Sequence, residues 1–336
     1  MRLKNLLTSV ALMGGMMTGT AMAGQVTYKE IAKIPLPTTP GHGDLVAYDP
    51  GNKMVYVSLA GGGMAVVDAT NNTVAHNITD ISSPNGETFD DNYVYETEAE
   101  GPGAGKANQL IVIDKSNWQI VSRVDTVGTS PDGIFIDKQN GLLYVVMDDD
   151  NSIDEYTTGA TPKFVKKIAL LPKNPVTGPD VANLINGYIY ATDDSSVEKI
   201  DPNSGKILKL MDYHLKLTDK GGTKDMIYDK DHNRIWVATT TGGVLEINPD
   251  TLAVEKRLKE TSGGDQMGAD FGMGLAYVFG GKGFDYYSIK DQKHLGHVKT
   301  GDKPPTHSGA VDPVTHNVYA YAGGDAQLDV YQPVQQ

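Results

Sequence analysis

Two stretches of the chain align residue for residue and differ where the residue type matters for chemistry. KPPTHSGAVDPVTHNVYAYAGG, residues 303–324, matches GTSPDGIFIDKQNGLLYVVMDD, residues 128–149. His307 stands in the first stretch where Asp132 stands in the second. An imidazole at this position can bind a metal, and unlike an ordinary carboxylate it can gain or lose a proton near neutral pH.

A second histidine lies near the start of the chain, in the sequence PGHGD. If the two chain ends meet, His42, Asp44 and His307 come together as two imidazoles and a carboxylate. That set suits a divalent transition metal such as zinc, copper or iron, and hence a metal-dependent lyase, hydrolase or oxidoreductase. A histidine and an aspartate also suit general acid–base catalysis without a metal. Loop residues of a non-catalytic binding protein are the third interpretation, since Asp and Asn favour turns.

The elements that position these residues follow from an internal repeat. One aromatic residue anchors each copy, at spacings of 39 to 49 residues: Tyr56, Tyr95, Tyr144, Tyr190, Trp236, Tyr277 and Tyr319. In five copies an Asp precedes the anchor by seven residues, as in YDPGNKMVYVS and VDPVTHNVYAY. Turn residues between two apolar segments predict a hairpin, and a second strand pair follows each anchor.

Four short strands per repeat of about 40–45 residues are typical of a propeller blade. Seven anchors therefore predict an all-β fold, a seven-bladed β-propeller of four-stranded antiparallel blades. The last copy ends after its third strand, AQLDVYQPV, and the segment VTYKEIAKIPL near the start has the pattern of a fourth. We expect these two strands to pair and close the ring, because pairing removes two open sheet edges.

The repeat SPDGIFID…LLYVV…IVIDKSNWQIV resembles the YVTN family of bacterial propellers, and the resemblance covers nearly all of the chain after residue 23. It implies the propeller fold. The family includes binding proteins and relatives of enzymes, so the resemblance leaves the function open. YncE-like members are associated with DNA binding, which the resemblance adds as a further alternative.

In a propeller, the loops that lead into the innermost strands gather at one mouth of the central channel, where a ligand site is expected. Counting five residues back from the repeat Asp, or from the equivalent position in a copy without it, gives one residue at this mouth for each copy. In the fourth copy the count reaches Gly178, and Asp180 follows two residues later. The candidate ligand-binding residues are His42, Asp44, Asn85, Glu87, Asp132, Asp180, Lys224, Asp265 and His307. Most are acidic, so the face is expected to attract a cation or a basic partner.

The first residues read as a secretory signal: Arg2 and Lys4, an apolar stretch from Leu6 to Met17, and the cleavage pattern Ala21-Met22-Ala23. We expect residues 1–23 to be removed and residues 24–336 to form a single propeller domain in the periplasm. No transmembrane segment is predicted, since no apolar run reaches about 18 residues. The chain has no cysteine, which excludes disulfides, thiolate metal sites and a lipid anchor on cysteine.

Charge narrows the choice of partner. The 336 residues carry a formal charge of −13, and removal of Arg2 and Lys4 with the signal makes it −15. An acidic protein repels polyphosphate, which disfavours nucleic acid as a partner. The sequence thus favours an exported scaffold that binds a small ligand or a periplasmic protein at its acidic mouth. A metal-dependent enzyme around His42 and His307, and DNA binding, remain the alternatives.

Overall fold

The structure, a computed structural model, describes residues 26–100, 108–171, 178–215, 222–241, 243–259 and 263–335. The predicted signal (residues 1–23) and residues 101–107, in the Gly-rich segment of the second repeat, lie outside them. In chain order the strands are β1 (Val26–Pro35), β2 (Val46–Asp49), β3 (Met54–Ser58), β4 (Met64–Asp68), β5 (Thr73–Ile78), β6 (Pro84–Phe89), β7 (Tyr93–Ala99), β8 (Asn108–Asp114), β9 (Gln119–Asp125), β10 (Pro131–Asp137), β11 (Leu142–Met147), β12 (Ser152–Thr157), β13 (Phe164–Ala169), β14 (Pro179–Ile185), β15 (Tyr188–Asp193), β16 (Ser196–Asp201), β17 (Lys206–Asp212), β18 (Thr223–Asp229), β19 (Arg234–Thr239), β20 (Val244–Ile247), β21 (Val254–Leu258), β22 (Gly264–Asp270), β23 (Leu275–Gly280), β24 (Gly283–Ser288), β25 (Lys293–Lys299), β26 (Gly309–Val311), β27 (Val318–Ala322) and β28 (Gln327–Gln335).

These strands form seven four-stranded antiparallel sheets, which are the seven blades that the repeat predicts. Blades one to six each contain four consecutive strands, beginning with β2, β6, β10, β14, β18 and β22. The first strand of each blade contacts the first strand of the next, and β26 of the last blade contacts β2 of the first. The predicted seven-bladed propeller is therefore confirmed.

The ring closes as the sequence predicts. Blade seven has the order β1-β28-β27-β26, so the strand nearest the start of the chain supplies its outer edge. The two strands pair antiparallel from Val26 opposite Gln335 to Pro35 opposite Gln327. Apart from a 3-10 turn at Gly323–Asp325, no helix occurs among the described residues, and none there has the length and apolar character needed to cross a membrane.

The burial of each strand explains the pattern of apolar and polar residues in its sequence. The second and third strands of each blade lie between neighbouring blades and are buried on both faces, so they read as continuous apolar runs such as MVYVS and MAVVD. The outer strands β9, β17 and β25 alternate between exposed and partly buried residues. Seven apolar clusters result, each between two adjacent blades.

Many acidic side chains have purely local roles in this framework. Where β2 turns into β3, Asp49 accepts hydrogen bonds from the Gly51 N–H (2.9 Å) and the Tyr56 hydroxyl (2.8 Å). A buried acid on the third strand of several blades instead fastens the loop that arrives from the preceding blade. Asp154 accepts from the Gly128 N–H at 2.8 Å, and Asp329 from the Gly301 N–H at 2.9 Å. These acids satisfy backbone donors that the loops leave unpaired.

Candidate functional site

The loops that lead into the first strands of the blades surround a cavity of about 200 Å³ at one end of the central channel. Blades one, three, four, five, six and seven contribute to its wall. The lining residues are His42, Asp44, Leu45, Asp132, Asp180, Val181, Lys224, Asp265 and His307. Seven of the nine candidates that the sequence picks out thus line a single cavity, which we call the mouth cavity.

A chain of ion pairs crosses one side of the mouth cavity. Lys224 Nζ lies 2.5 Å from Asp180 Oδ1 and 3.5 Å from Asp265 Oδ1, and His307 Nε2 lies 2.8 Å from Asp265 Oδ2. Burial alone raises the pKa of Asp265, but His307 and Lys224 outweigh it and hold that pKa well below its usual range. These four side chains neutralise one another in pairs.

His307 is held as a cation by this arrangement. Burial lowers its pKa, but the Asp265 carboxylate outweighs burial, and the pKa of His307 is raised above its usual value. A protonated imidazole has no lone pair to accept a proton or to bind a metal. In this arrangement His307 acts as a positive charge on the cavity wall.

The predicted convergence of His42 and His307 occurs in the structure. Their ring centroids are 3.8 Å apart with an interplanar angle of 56°, and His307 Nε2 lies 3.9 Å from Asp44 Oδ1. The nearest carboxylate partner of His307 is Asp265 and not Asp44. Among the described residues no group of three or more His, Asp or Glu side chains is arranged to hold a metal ion. A metal on His42, Asp44 and His307 remains a prediction.

Asp44 and Asp132 differ from the paired acids on the other side of the cavity. Burial and the carboxylates of Asp265 and Asp180 raise the pKa of Asp44 well above its usual value. Burial also raises the pKa of Asp132, with further contributions from Asp180 and Asp44. The ion pairs among the described residues do not include Asp132. Asp132 therefore faces the cavity without an ion pair among the described residues, and the ion-pair partner of Asp44 there is His307, whose Nε2 lies 3.9 Å away.

Two further acids extend the negative charge around the mouth. Burial and the neighbouring Asp149 raise the pKa of Asp148 to about 6. Burial raises the pKa of Asp225 to about 7, although the carboxylate accepts hydrogen bonds from the N–H groups of Met226 and Met267. Asp225 fastens blade five to blade six, so its role is structural.

Asn85 and Glu87 do not line the mouth cavity. The Asn85 side-chain amide donates to the carbonyl oxygen of Pro131 at 3.0 Å and so joins blade two to blade three. Glu87 is buried and contacts the hydroxyl of Ser58 at 2.8 Å. The pairing of β6 with β7 shifts register between Pro84 and Glu87, as the equivalent pairs do in blades three to six, and Glu87 stands where blades three and four have the buried Ile134 and Ala182.

A larger cavity of about 770 Å³ lies at the strand ends opposite the mouth cavity. It is lined by the β2–β3 turn of blade one, the β6–β7 and β8–β9 turns of blade two, and Lys138 of blade three. Two of its charged groups pair with each other: Lys115 Nζ lies 2.5 Å from Asp49 Oδ2 and also donates to the Asp90 carbonyl oxygen at 2.7 Å. Asp90 accepts hydrogen bonds from the Tyr95 hydroxyl and from two backbone N–H groups.

The fold and the cavity define the class of protein as a seven-bladed β-propeller with an acidic cavity at one mouth of its channel. No protein-family model matches the chain, and no curated protein matches its sequence. Among solved structures, hydrazine synthase from Kuenenia stuttgartiensis is similar over 89% of this chain and 97% of that chain. The TM-score is 0.68 and the sequence identity is 17%, so this similarity shows the fold alone.

Proposed function

We propose that this protein is an exported, non-catalytic propeller that binds a small positively charged ligand in the mouth cavity. One observation carries the proposal: Asp44 and Asp132 line a concave site next to other acids and have raised pKa values, and among the described residues their one ion pair is the 3.9 Å contact of Asp44 with His307. An ammonium or guanidinium group between them would supply positive charge and donate hydrogen bonds to their carboxylate oxygens. Binding would convert an unfavourable charge arrangement into a paired one.

The dimensions of the mouth cavity limit the ligand. A volume of about 200 Å³ is below the range of about 300–1,000 Å³ that drug-sized ligands occupy. A few non-hydrogen atoms fit, so the ligand is a small amine or the cationic end group of a longer molecule. Leu45 and Val181 give the wall an apolar part that suits a short alkyl chain.

Export to the periplasm and membership in the YVTN family belong to the same proposal. Both rest on the sequence, namely the signal-like residues 1–23 and the repeat pattern. Expression of the full chain in a Gram-negative bacterium tests export. Periplasmic recovery of a chain that begins at residue 24 supports it, and retention of the intact chain in the cytoplasm contradicts it.

Isothermal titration calorimetry with 1,4-diaminobutane tests the binding proposal, with butane-1,4-diol as the uncharged probe of similar size. We expect the diamine to bind and the diol not to bind. Asp132→Asn should weaken diamine binding about 10- to 100-fold, because a hydrogen bond to a charged group contributes about 1.5–3 kcal/mol. Asp149→Asn removes the same charge from an exposed position on the same blade and should leave the affinity within about twofold.

Two outcomes would contradict the proposal. Equal binding of diamine and diol would show that charge does not determine recognition. Equal weakening by Asp132→Asn and Asp149→Asn would show only a general effect of net charge. Titration with Zn²⁺, Cu²⁺ and Fe²⁺ in the same buffer tests the metal alternative, which requires binding of one metal ion that His42→Ala abolishes.

A further inference from the structure

A pair of buried glutamates lies beside the mouth cavity but outside it. Glu87 on β6 and Glu96 on β7 are directly paired across the first two strands of blade two. Their exposed fractions are 6% and 0%. Both reach Ser58 at the end of β3 in blade one, so the pair sits at the interface between two blades.

The number of hydrogens at this site requires a proton on one carboxyl group. Ser58 Oγ lies 2.8 Å from Glu87 Oε2 and 2.9 Å from Glu96 Oε1. A serine hydroxyl has one hydrogen, and an ionised carboxylate has none to donate. Ser58 can therefore donate to one glutamate only, and the other contact becomes a hydrogen bond only if that glutamate carries a proton.

The remaining oxygens of the pair point to the same conclusion. Glu87 Oε1 and Glu96 Oε2 are buried and have no hydrogen-bond partner among the residues that the structure describes. Two ionised carboxylates in this position would bury two adjacent negative charges with one hydroxyl hydrogen between them, which is strongly unfavourable. One proton on the pair removes one of these charges.

The charged groups that face the pair are acidic. Asp44 and Glu98 both disfavour ionisation of Glu96. An Arg123 guanidinium nitrogen lies 3.1 Å from Glu98 Oε2, so this cation compensates Glu98. Burial raises the pKa of Glu87 to about 8, and burial together with Glu87 raises the pKa of Glu96 well above its usual value.

We infer that Glu87 and Glu96 together bind one proton at neutral pH, shared through Ser58, and that its release strengthens cation binding in the mouth cavity. Ser58 connects the two sites, because its carbonyl oxygen accepts a hydrogen bond from the Asp44 N–H at 3.2 Å. Release of the proton adds a negative charge next to Asp44. The first part stands on the glutamate pair alone, and the second part rests on the proposed function.

Infrared spectroscopy of the exported chain with isotope-labelled glutamate carboxyl groups tests the first part, because the label separates glutamate from aspartate. At pH 7 we expect the parent to show the C=O band of a protonated glutamate, which Glu96→Gln and Glu87→Gln each remove, since a Gln amide can donate to the remaining carboxylate. Glu98→Gln is the matched control on the same strand and should leave that band unchanged. An unchanged band in both Glu96→Gln and Glu87→Gln would overturn the inference.

Ser58→Ala gives a second readout that does not depend on the glutamine variants. Without the hydroxyl, the two carboxyl groups must satisfy each other, so the protonated band should persist to higher pH than in the parent. Loss of the band at lower pH in Ser58→Ala would overturn the shared-proton arrangement. The pair titrates as a unit, so the band, and not either residue, reports the proton.

The pH dependence of 1,4-diaminobutane binding tests the second part. Between pH 6 and pH 9 the parent should gain at least threefold more affinity than Glu96→Gln, in which the pair no longer releases a proton. Equal gains would overturn the coupling. If the diamine binds neither protein, the proposed function and the coupling both fail, and the infrared result alone decides the proton site.

Discussion

The two ends of a single strand, β10, show two ways in which this propeller uses aspartate. Asp137, at the turn end, accepts hydrogen bonds from the N–H groups of Gln139 and Asn140 and from the Asn140 side chain. Asp132, at the mouth end, faces other acids, and burial and those acids raise its pKa. The residue type is the same at both ends of the strand. The neighbouring groups decide whether the aspartate stabilises the fold or is available to a ligand.

The comparison holds for other blades. At the turn ends, Asp49, Asp270 and Asp312 each accept hydrogen bonds from backbone N–H groups and from a side chain. At the mouth ends, Asp44, Asp180 and Asp265 share two cations, Lys224 and His307. Asp132 takes part in none of the ion pairs among the described residues, so removing its carboxylate should have the opposite consequence to removing a turn-end carboxylate.

The largest loss is expected where a turn-end acid also neutralises a buried cation. Asp49→Ala removes the acceptor for the Tyr56 hydroxyl and leaves Lys115, which is 10% exposed, without its carboxylate at 2.5 Å. Breaking such a pair typically costs about 3–5 kcal/mol. Urea unfolding at pH 7 measures this change in the free energy of unfolding.

Asp91→Ala is the control for Asp49→Ala, since Asp91 is exposed in the same cavity of blades one and two. We expect its effect to stay within about 0.5 kcal/mol. A loss below about 1 kcal/mol for Asp49→Ala would show that the turn-end acids contribute little to stability.

The cation at the mouth should have the next largest effect. Lys224→Met leaves Asp180 and Asp265 facing each other without Nζ between them, and we expect a loss of about 2–3 kcal/mol at pH 8. At pH 5 the loss should be smaller, because one of the crowded carboxyl groups can take up a proton. Urea unfolding at both pH values measures the difference.

Lys163→Met, at an exposed position in blade three, provides the comparison for Lys224→Met. It should change the free energy of unfolding by less than about 0.5 kcal/mol at either pH. A Lys224→Met loss that is equal at pH 5 and pH 8 would mean that the mouth acids do not respond to the missing charge.

The architecture was predictable from the sequence because every blade repeats the same burial pattern. The aromatic anchors and the turn Asp residues mark each blade, and the unpaired third strand at the end of the chain predicts closure by β1.

Blade four shows where counting fails. Its hairpin turn has two residues, Asn186 and Gly187, both with positive φ, whereas the turn after Asp137 has four. The count from the anchor therefore reaches Gly178, and Asp180 occupies the mouth position.

The site was predictable only in part, because repeat position does not specify side-chain direction or partners. His42 and His307 come together as predicted, but the partner of His307 at 2.8 Å is Asp265, from the neighbouring blade six. Glu87, two residues after the counted position Asn85, stands where blades three and four have the buried Ile134 and Ala182, and it faces Glu96 and Ser58. Counting to the mouth does not show which neighbouring side chains face the cavity.

The most direct test of the difference between the two strand ends is the free energy of unfolding of Asp132→Asn at pH 8 and pH 5. Because folding raises the pKa of Asp132, the folded protein holds more protons than the unfolded chain above pH ~4, and stability falls as pH rises towards the raised pKa. Asn does not titrate. The variant should therefore be more stable than the parent by at least about 1 kcal/mol at pH 8, and by less at pH 5.

Asp137→Asn, at the other end of the same strand, should be less stable than the parent at pH 8 by about 1 kcal/mol, since it loses a charged acceptor of three hydrogen bonds. Opposite signs for the two variants at pH 8 are the predicted result. Destabilisation by Asp132→Asn to the same extent as by Asp137→Asn would contradict the account, because it would make Asp132 one more structural acid and leave the mouth cavity without the uncompensated charge that a cation would balance.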